Sequence, residues 1–146
     1  MPPEPGAICL RPALVTDTGA IRWLERAAMR DRAIDLWGRW RPSPTLDLSC
    51  HEMIEHKGKL AGCMATRTEP DALCLSRLYI APDDRNAGIG AVCLDVVIAR
   101  ARALGRPITL RVLTNNPAWR FYERHGFEIV ARNQTHIQMT HKGGAP

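Results

Sequence analysis

The sequence lacks the features that would place it in a membrane, a disulfide scaffold or a metal site. No apolar run approaches the roughly 18 residues that a membrane helix needs. The opening MPPEPGAICL has no basic segment ahead of a long apolar stretch, so no secretory leader is expected. The five cysteines, Cys9, Cys50, Cys63, Cys74 and Cys93, contain no C-x-x-C or C-x-x-H pair. An odd set without ligand spacing excludes a fully paired framework and argues against zinc. In apolar surroundings free cysteine acts as a small hydrophobe, which suits a reducing compartment, so a cytoplasmic location and no metal are expected. Repeats and low-complexity stretches are absent. So is any run of basic residues, although the formal charge is +5 and seventeen of the twenty basic residues are arginine. Arginine favours planar contact with phosphate or carboxylate, so an anionic partner is expected, while scattered charge does not make a nucleic-acid footprint.

The 146 residues, 45% apolar and 24% charged, suit one compact domain over 1–146 that can bury a core without staples. ICLRPALV reads as a first strand. TDTGAIRWLERAAMRDRAIDLW reads as a helix, with Ile21, Leu24, Ala28 and Ile34 at helical spacing and Asp17 or Thr18 as its cap. GRWRPSPTLDL reads as a loop. CHEMIEH, LAGCMATRT and ALCLSRLYI, joined by KGK and EPD, make an antiparallel meander. Ile89, Val92, Cys93, Val96 and Val97 mark the buried face of a second helix that runs to Leu104 and stops at Gly105 and Pro107. PITLRVL is the next strand. Asn116 caps a short helix with Pro117 at its first position, Gly126 ends it, and FEIVAR and HIQMTH close the fold. The order β-α-(α)-β-β-β-α-β-α-β-β makes a mixed, mostly antiparallel α/β sheet flanked by helices.

Two glycines at a helix entrance need a reason, because each costs a helix about 1 kcal/mol relative to alanine. PDDRNAGIGAV holds no G-x-x-x-x-G-K-[ST] string, and Gly88-Ile89-Gly90 has Cys93 where a dinucleotide fingerprint has its third glycine. It does fit [QR]-x-x-G-x-[GA], as Arg85-Asn86-Ala87-Gly88-Ile89-Gly90. With LYIAPDDRNAGIGAVCL followed by LTNNPAWRFYERHGF, residues 73–127 resemble the core of the GNAT superfamily of N-acetyltransferases, in the manner of a short bacterial-type member. A helix N-terminus with bare N–H groups suits a pyrophosphate, and glycine lets phosphate oxygens approach.

The resemblance implies the following. The co-substrate is acetyl-CoA, the acceptor is a primary amine, and transfer is direct, within a ternary complex. Arg85, Asn86, Ala87, Gly88, Ile89 and Gly90 hold the pyrophosphate. Leu78, Tyr79 and Ile80 pair through their backbone with the pantetheine arm, Asn115 hydrogen-bonds that arm, and an N–H near Ile80 stabilises the oxyanion. Tyr122 protonates the leaving thiolate. The usual basic or glycine residues of the loop are replaced by Asn86 and Ala87. Trp37, Trp40 and Glu52 are candidates for the acceptor side. The base is open among His51, Glu52, Glu55, Asp31 and Asp35, since the strand LCLSRLYI carries Ser76 and Arg77 in place of an acid. His125 reads as a helix C-terminal cap or a surface group, and His136 and His141 show no metal spacing with each other or with the cysteines. A small-molecule acceptor is the leading expectation; a protein or peptide acceptor and a non-catalytic acyl-CoA sensor are the alternatives. A homodimer is the family's default.

Overall fold

The structure, a computed structural model, describes residues 7–145, so the reading of the first six residues as part of a non-leader terminus falls outside the described residues. Seven strands and three helices follow in chain order: β1 (Ile8–Pro12), α1 (Thr18–Trp37), β2 (His51–His56), β3 (Lys59–Thr68), β4 (Leu73–Ile80), α2 (Ile89–Leu104), β5 (Ile108–Leu113), α3 (Ala118–Arg124), β6 (Glu128–Arg132) and β7 (His136–His141). The strands form one sheet in the order β1-β2-β3-β4-β5-β7-β6. β1 with β2, β2 with β3, β5 with β7 and β6 with β7 run antiparallel, and β4 with β5 runs parallel. The mixed α/β order is the expected one, except that no second helix lies between α1 and β2; a short 3-10 turn at Leu48–Cys50 stands there instead.

By packing, the chain forms two compact units: residues 7–66 with 77–93, and residues 67–76 with 94–145. In the first unit, Ile21 and Leu24 of α1 pack with Met53, Cys63 and Ala81, and Leu46, Leu48 and Tyr79 close around them. Ile34, expected on that face, is 38% exposed, while the polar Glu25 is buried beside Leu24. The sequence period marks where α1 turns inward but not which polar residue will find partners there. β1 ends at Pro12, short of the expected Val15. Asp17 explains this: its carboxylate accepts from the Leu14 N–H at 2.8 Å and from both Arg11 guanidinium nitrogens at 2.8 and 2.9 Å. Asp17 therefore precedes α1 without capping it by its side chain, and the chain turns before the strand can continue.

In the second unit Ile108 and Leu110 alternate inward along β5, as do Ile137 and Met139 along β7. On α2 the buried residues are Ile89, Cys93, Leu94, Val97, Ile98 and Ala101; Val92 and Val96, expected with them, are half-buried. β6 is exposed throughout and lies at the sheet edge, where Glu128, Arg132 and a register shift at Ile129/Ala131 discourage further pairing.

Helix α3 is held at both ends. Asn116 Oδ1 accepts the Ala118 N–H at 2.9 Å, the expected cap. At the other end the Gly126 N–H reaches the Glu123 carbonyl at 3.1 Å and the Phe127 N–H reaches the Tyr122 carbonyl at 3.1 Å, the paired bonds of a Schellman motif. Gly126 supplies the left-handed backbone, φ +92°. The Tyr122 and Phe127 rings meet edge to face at 5.5 Å, the apolar contact such a motif favours. His125 Nδ1 donates to the Phe121 carbonyl at 2.8 Å, the capping role expected for it. A Cβ on Gly126 would lie 3.1 Å from His141 Nε2, so Gly126→Ala adds crowding to left-handed strain. The substitution is expected to destabilise the protein by about 1–2 kcal/mol, read as a lower urea midpoint; an unchanged midpoint would show that the motif does not hold α3.

Candidate functional site

The loop that opens α2 carries two left-handed residues. Asn86 has φ +62° and Gly88 φ +80°, with Ala87 between them. Left-handed residues alternating with right-handed ones turn successive N–H groups to one side, a concavity suited to oxyanions. Asparagine is among the few L-residues that tolerate this conformation. Arg85 and Asn86 are exposed, Ala87, Gly88 and Gly90 are half-buried, and Ile89 is buried, anchoring the helix start. Arg85 does not simply extend into solvent: its Nε donates to the Ile80 carbonyl at 3.2 Å, linking the loop to the end of β4.

Leu78, Tyr79 and Ile80 are half-buried on β4. The β4–β5 ladder comprises Leu73↔Ile108 and Cys74↔Thr109, and these three residues lie further along β4, outside it. Gly62 on β3, a residue that its sequence context did not single out, sets how closely the backbone approaches here. A Cβ at Gly62 would overlap the Tyr79 carbonyl oxygen. In the second unit, Tyr122 is buried within α3 against Phe121 and Phe127, and Asn115 is half-buried in the turn that precedes the helix.

Trp37 ends α1 and is 45% exposed. Trp40 is half-buried, with the Arg26 guanidinium 6.0 Å from its ring centre. Glu52 is half-buried on β2, and its charge, after burial itself, helps push the Cys93 thiol up to about 11.

A different polar cluster occupies the interior of the first unit. The Glu25 carboxylate is buried on α1, and Arg22 Nη1 donates to Oε1 at 3.0 Å while Arg77 Nη2 donates to Oε2 at 2.8 Å. The Ser43 N–H adds a longer contact at 3.4 Å, and Arg77 Nη2 also donates to Ser43 Oγ at 2.8 Å. Burial alone would raise the Glu25 pKa; the Arg22 hydrogen bond, the Arg77 charge and the Ser43 contacts outweigh it and hold the pKa below its ordinary value. The Arg77 guanidinium also lies over the Tyr79 ring at 5.7 Å, and burial pushes the Cys63 thiol and the Tyr79 phenol each up to about 12.

His51 completes the cluster from β2 and is 5% exposed. Its Nδ1 lies 2.6 Å from the Asp47 carbonyl, which can only accept, so the proton sits on Nδ1 and Nε2 carries a bare lone pair. Burial first, and the Arg77 charge next among the lowering causes, hold the imidazole below its ordinary pKa and therefore neutral near pH 7. His51 Nε2 and Arg77 Nη1 are both buried without a hydrogen-bond partner. An unmet buried group costs about 1–3 kcal/mol, so two in one cluster need an explanation. Among the other base candidates, Asp31 pairs with Arg30 at 2.9 Å on the surface and Glu55 lies 3.6 Å from Arg11 Nε. Among the described residues, no group of three or more His, Cys, Asp or Glu side chains is arranged to hold a metal ion, and no helix is long and apolar enough to cross a membrane.

A profile of the acetyltransferase (GNAT) domain matches residues 49–129. The sequence is 36% identical over 121 residues to the amino-acid acetyltransferase of Azotobacter vinelandii, an alignment that covers 82% of this chain and 27% of that protein. The chain spans between 20% and 27% of the length of the curated relatives it matches. Among solved structures, the ribosomal-protein-S18-alanine N-acetyltransferase of Escherichia coli superposes with a TM-score of 0.69 at 21% identity, covering 92% of each chain. N-acetylglutamate synthase of Neisseria gonorrhoeae, complexed with coenzyme A and L-arginine, superposes with a TM-score of 0.68 at 23% identity over 90% of this chain and 32% of its own. At these identities the two likenesses show the fold.

Three buried or half-buried histidines, His51, His136 and His141, are all held below their ordinary pKa, burial being the first cause in each. The unfolded chain therefore takes up protons before the folded one as pH falls below about 6.5. Stability is expected to hold above that value and to decline below it. A second loss follows in more acid solution as Glu25 and Asp17, the latter lowered to about 2, are protonated. Urea midpoints measured from neutral pH downward check this; a midpoint that stays flat to about pH 5 would contradict the neutral burial of the histidines.

Proposed function

The chain belongs to the GNAT acetyltransferase family, and on that premise we propose that it transfers an acetyl group from acetyl-CoA to the primary amine of a small acceptor, directly and without a covalent enzyme intermediate. The observation that carries the reading is the loop from Arg85 to Gly90, whose Asn86 and Gly88 take the left-handed backbone just before the start of α2. The bound co-substrate supplies an activated thioester. Arg85 adds a guanidinium beside the cradle, and backbone groups of Leu78, Tyr79 and Ile80 with the side chain of Asn115 hold the pantetheine arm. The N–H near Ile80 stabilises negative charge on the carbonyl oxygen, the kind of preorganised donor whose removal costs other enzymes about 10²–10³ in rate.

Three proton and charge problems have to be met: a neutral amine, a stabilised oxyanion and a protonated leaving sulfur. Tyr122 answers the third. Its ring is fixed by the Phe127 contact and by the helix-ending motif, so the hydroxyl is carried on a rigid support. Coenzyme A in the Neisseria gonorrhoeae structure and the amino-acid acetyltransferase name of the sequence relatives support the co-substrate and the amine acceptor.

Chromatographic measurement of coenzyme A release against a panel of amines, amino acids and short peptides tests the proposal. Tyr122→Phe keeps the ring contact and is expected to lose about 10²–10⁴-fold in kcat, with circular dichroism confirming that it is folded at the assay temperature. Gly88→Val is expected to raise the KM for acetyl-CoA, since a β-branched residue cannot adopt the left-handed conformation without strain. Failure of the wild type to bind acetyl-CoA would sink the reading.

A further inference from the structure

Two open hydrogen-bonding atoms lie in the interior of the first unit. Arg77 Nη1 can only donate, and His51 Nε2, with the ring proton fixed on Nδ1, can only accept. A ligand that satisfies both must bring an acceptor group to the arginine and a donor group to the histidine.

The charges point the same way. Arg22 and Arg77 share the single carboxylate of Glu25, so this ion-paired group carries an excess positive charge. Asp47, whose charge also reaches His51, has its carboxylate engaged by the Ser49 N–H at 3.0 Å and by the Ser49 hydroxyl. The chemical class that supplies an anion and a donor together is an amino-carboxylate. We infer that Arg77 and His51 form the acceptor subsite and that it takes a compound carrying a carboxylate close to its primary amine, the carboxylate on Arg77 Nη1 and the amine donating to His51 Nε2.

The loop between α1 and β2 meets this cluster at Ser43. It leaves the helix at Gly38, φ +74°, and lays Ser43 onto both Arg77 and Glu25. Pro42 and Pro44 flank Ser43 and stiffen the segment that presents it. Ser43 Oγ and Glu25 both accept from Arg77 Nη2, which leaves Nη1 for a carboxylate, for which a planar guanidinium is the fitting partner.

This inference rests on the acetyltransferase reading, and the experiment separates the two. The full chain is assayed for coenzyme A release with the standard L-amino acids, their carboxamides and the matching decarboxylated amines. At least one amino acid is expected to exceed its carboxamide in kcat/KM by roughly 10- to 100-fold, the range of a charge-assisted hydrogen bond. In Arg77→Gln the same ratio is expected to fall toward one, with the affinity for coenzyme A, read by calorimetry, unchanged. The ratio compares two substrates on one preparation, so a partial loss of folded protein cancels. If Arg77→Gln does not fold, the wild-type ratio decides.

Equal use of acids, amides and simple amines by the wild type would overturn the inference and leave the acetyltransferase reading standing. A preference that survives in Arg77→Gln would overturn it too. If no acceptor supports release, amino acids are titrated into the coenzyme A-saturated wild type. Saturable binding that is absent for the carboxamides supports the subsite, and no binding overturns it, with the two open atoms then satisfied by water. Failure of coenzyme A itself to bind defeats the acetyltransferase reading.

Discussion

The buried carboxylate of Glu25 is the constraint on which the first unit depends. An ionised carboxylate taken from water loses several kcal/mol of hydration, and only an arrangement that supplies partners on every side recovers it. Arg22 comes from the same helix one turn away, Ser43 from the loop that follows, and Arg77 from β4. One charge thereby ties α1, the loop and the strand to a single arrangement. Such a group contributes specificity more than net stability, because a well-packed apolar substitute often does as well energetically. Removing a single partner is different: it strands charge in the interior. The loop over the cluster is therefore held by electrostatics, and its fixed point is a serine between two prolines.

Much of the fold can be read from the chain because its local signals agree. Period-two patterns place β5 and β7, and the period-3.6 pattern places α2. The special backbone ahead of α2 is equally legible, since glycines at a helix entrance leave few explanations, and the Asn-Pro pair before α3 says where that helix begins. The interior polar cluster is legible only at His51, one of the candidate bases. Arg77 reads only as the absence of an acid on β4, and Glu25 as one more charged residue on an amphipathic helix. Their meeting joins residues 52 positions apart, and no local pattern encodes a contact of that span. Gly62 escapes for the same reason: it looks like any glycine in a strand until the carbonyl of Tyr79 is set against it. The end of β1 also departs from its pattern, because the partners of one carboxylate, Asp17, turn the chain there.

The helix that carries Tyr122 shows how little material is needed to fix one side chain. Seven residues cannot hold a helix by propensity alone. An asparagine at one end and a left-handed glycine at the other close the open backbone groups, and the ring of Phe127 folds back on the tyrosine. Sequence spacing announces each of these parts, because caps are local chemistry.

The distribution of the five thiols has a practical meaning. Cys63 and Cys93 are buried, with burial pushing them up to about 12 and about 11, while Cys9 is exposed and Cys50 and Cys74 are half-buried. Since the thiolate is the reactive form, the two interior sulfurs are silent toward alkylating reagents for as long as the fold is closed around them. Their labelling becomes a clock for opening: Cys63 lies in the Ile21–Leu24 core and Cys93 on the first turns of the long helix behind the cradle. The chain thus carries native reporters of how often these regions breathe, with no foreign probe added.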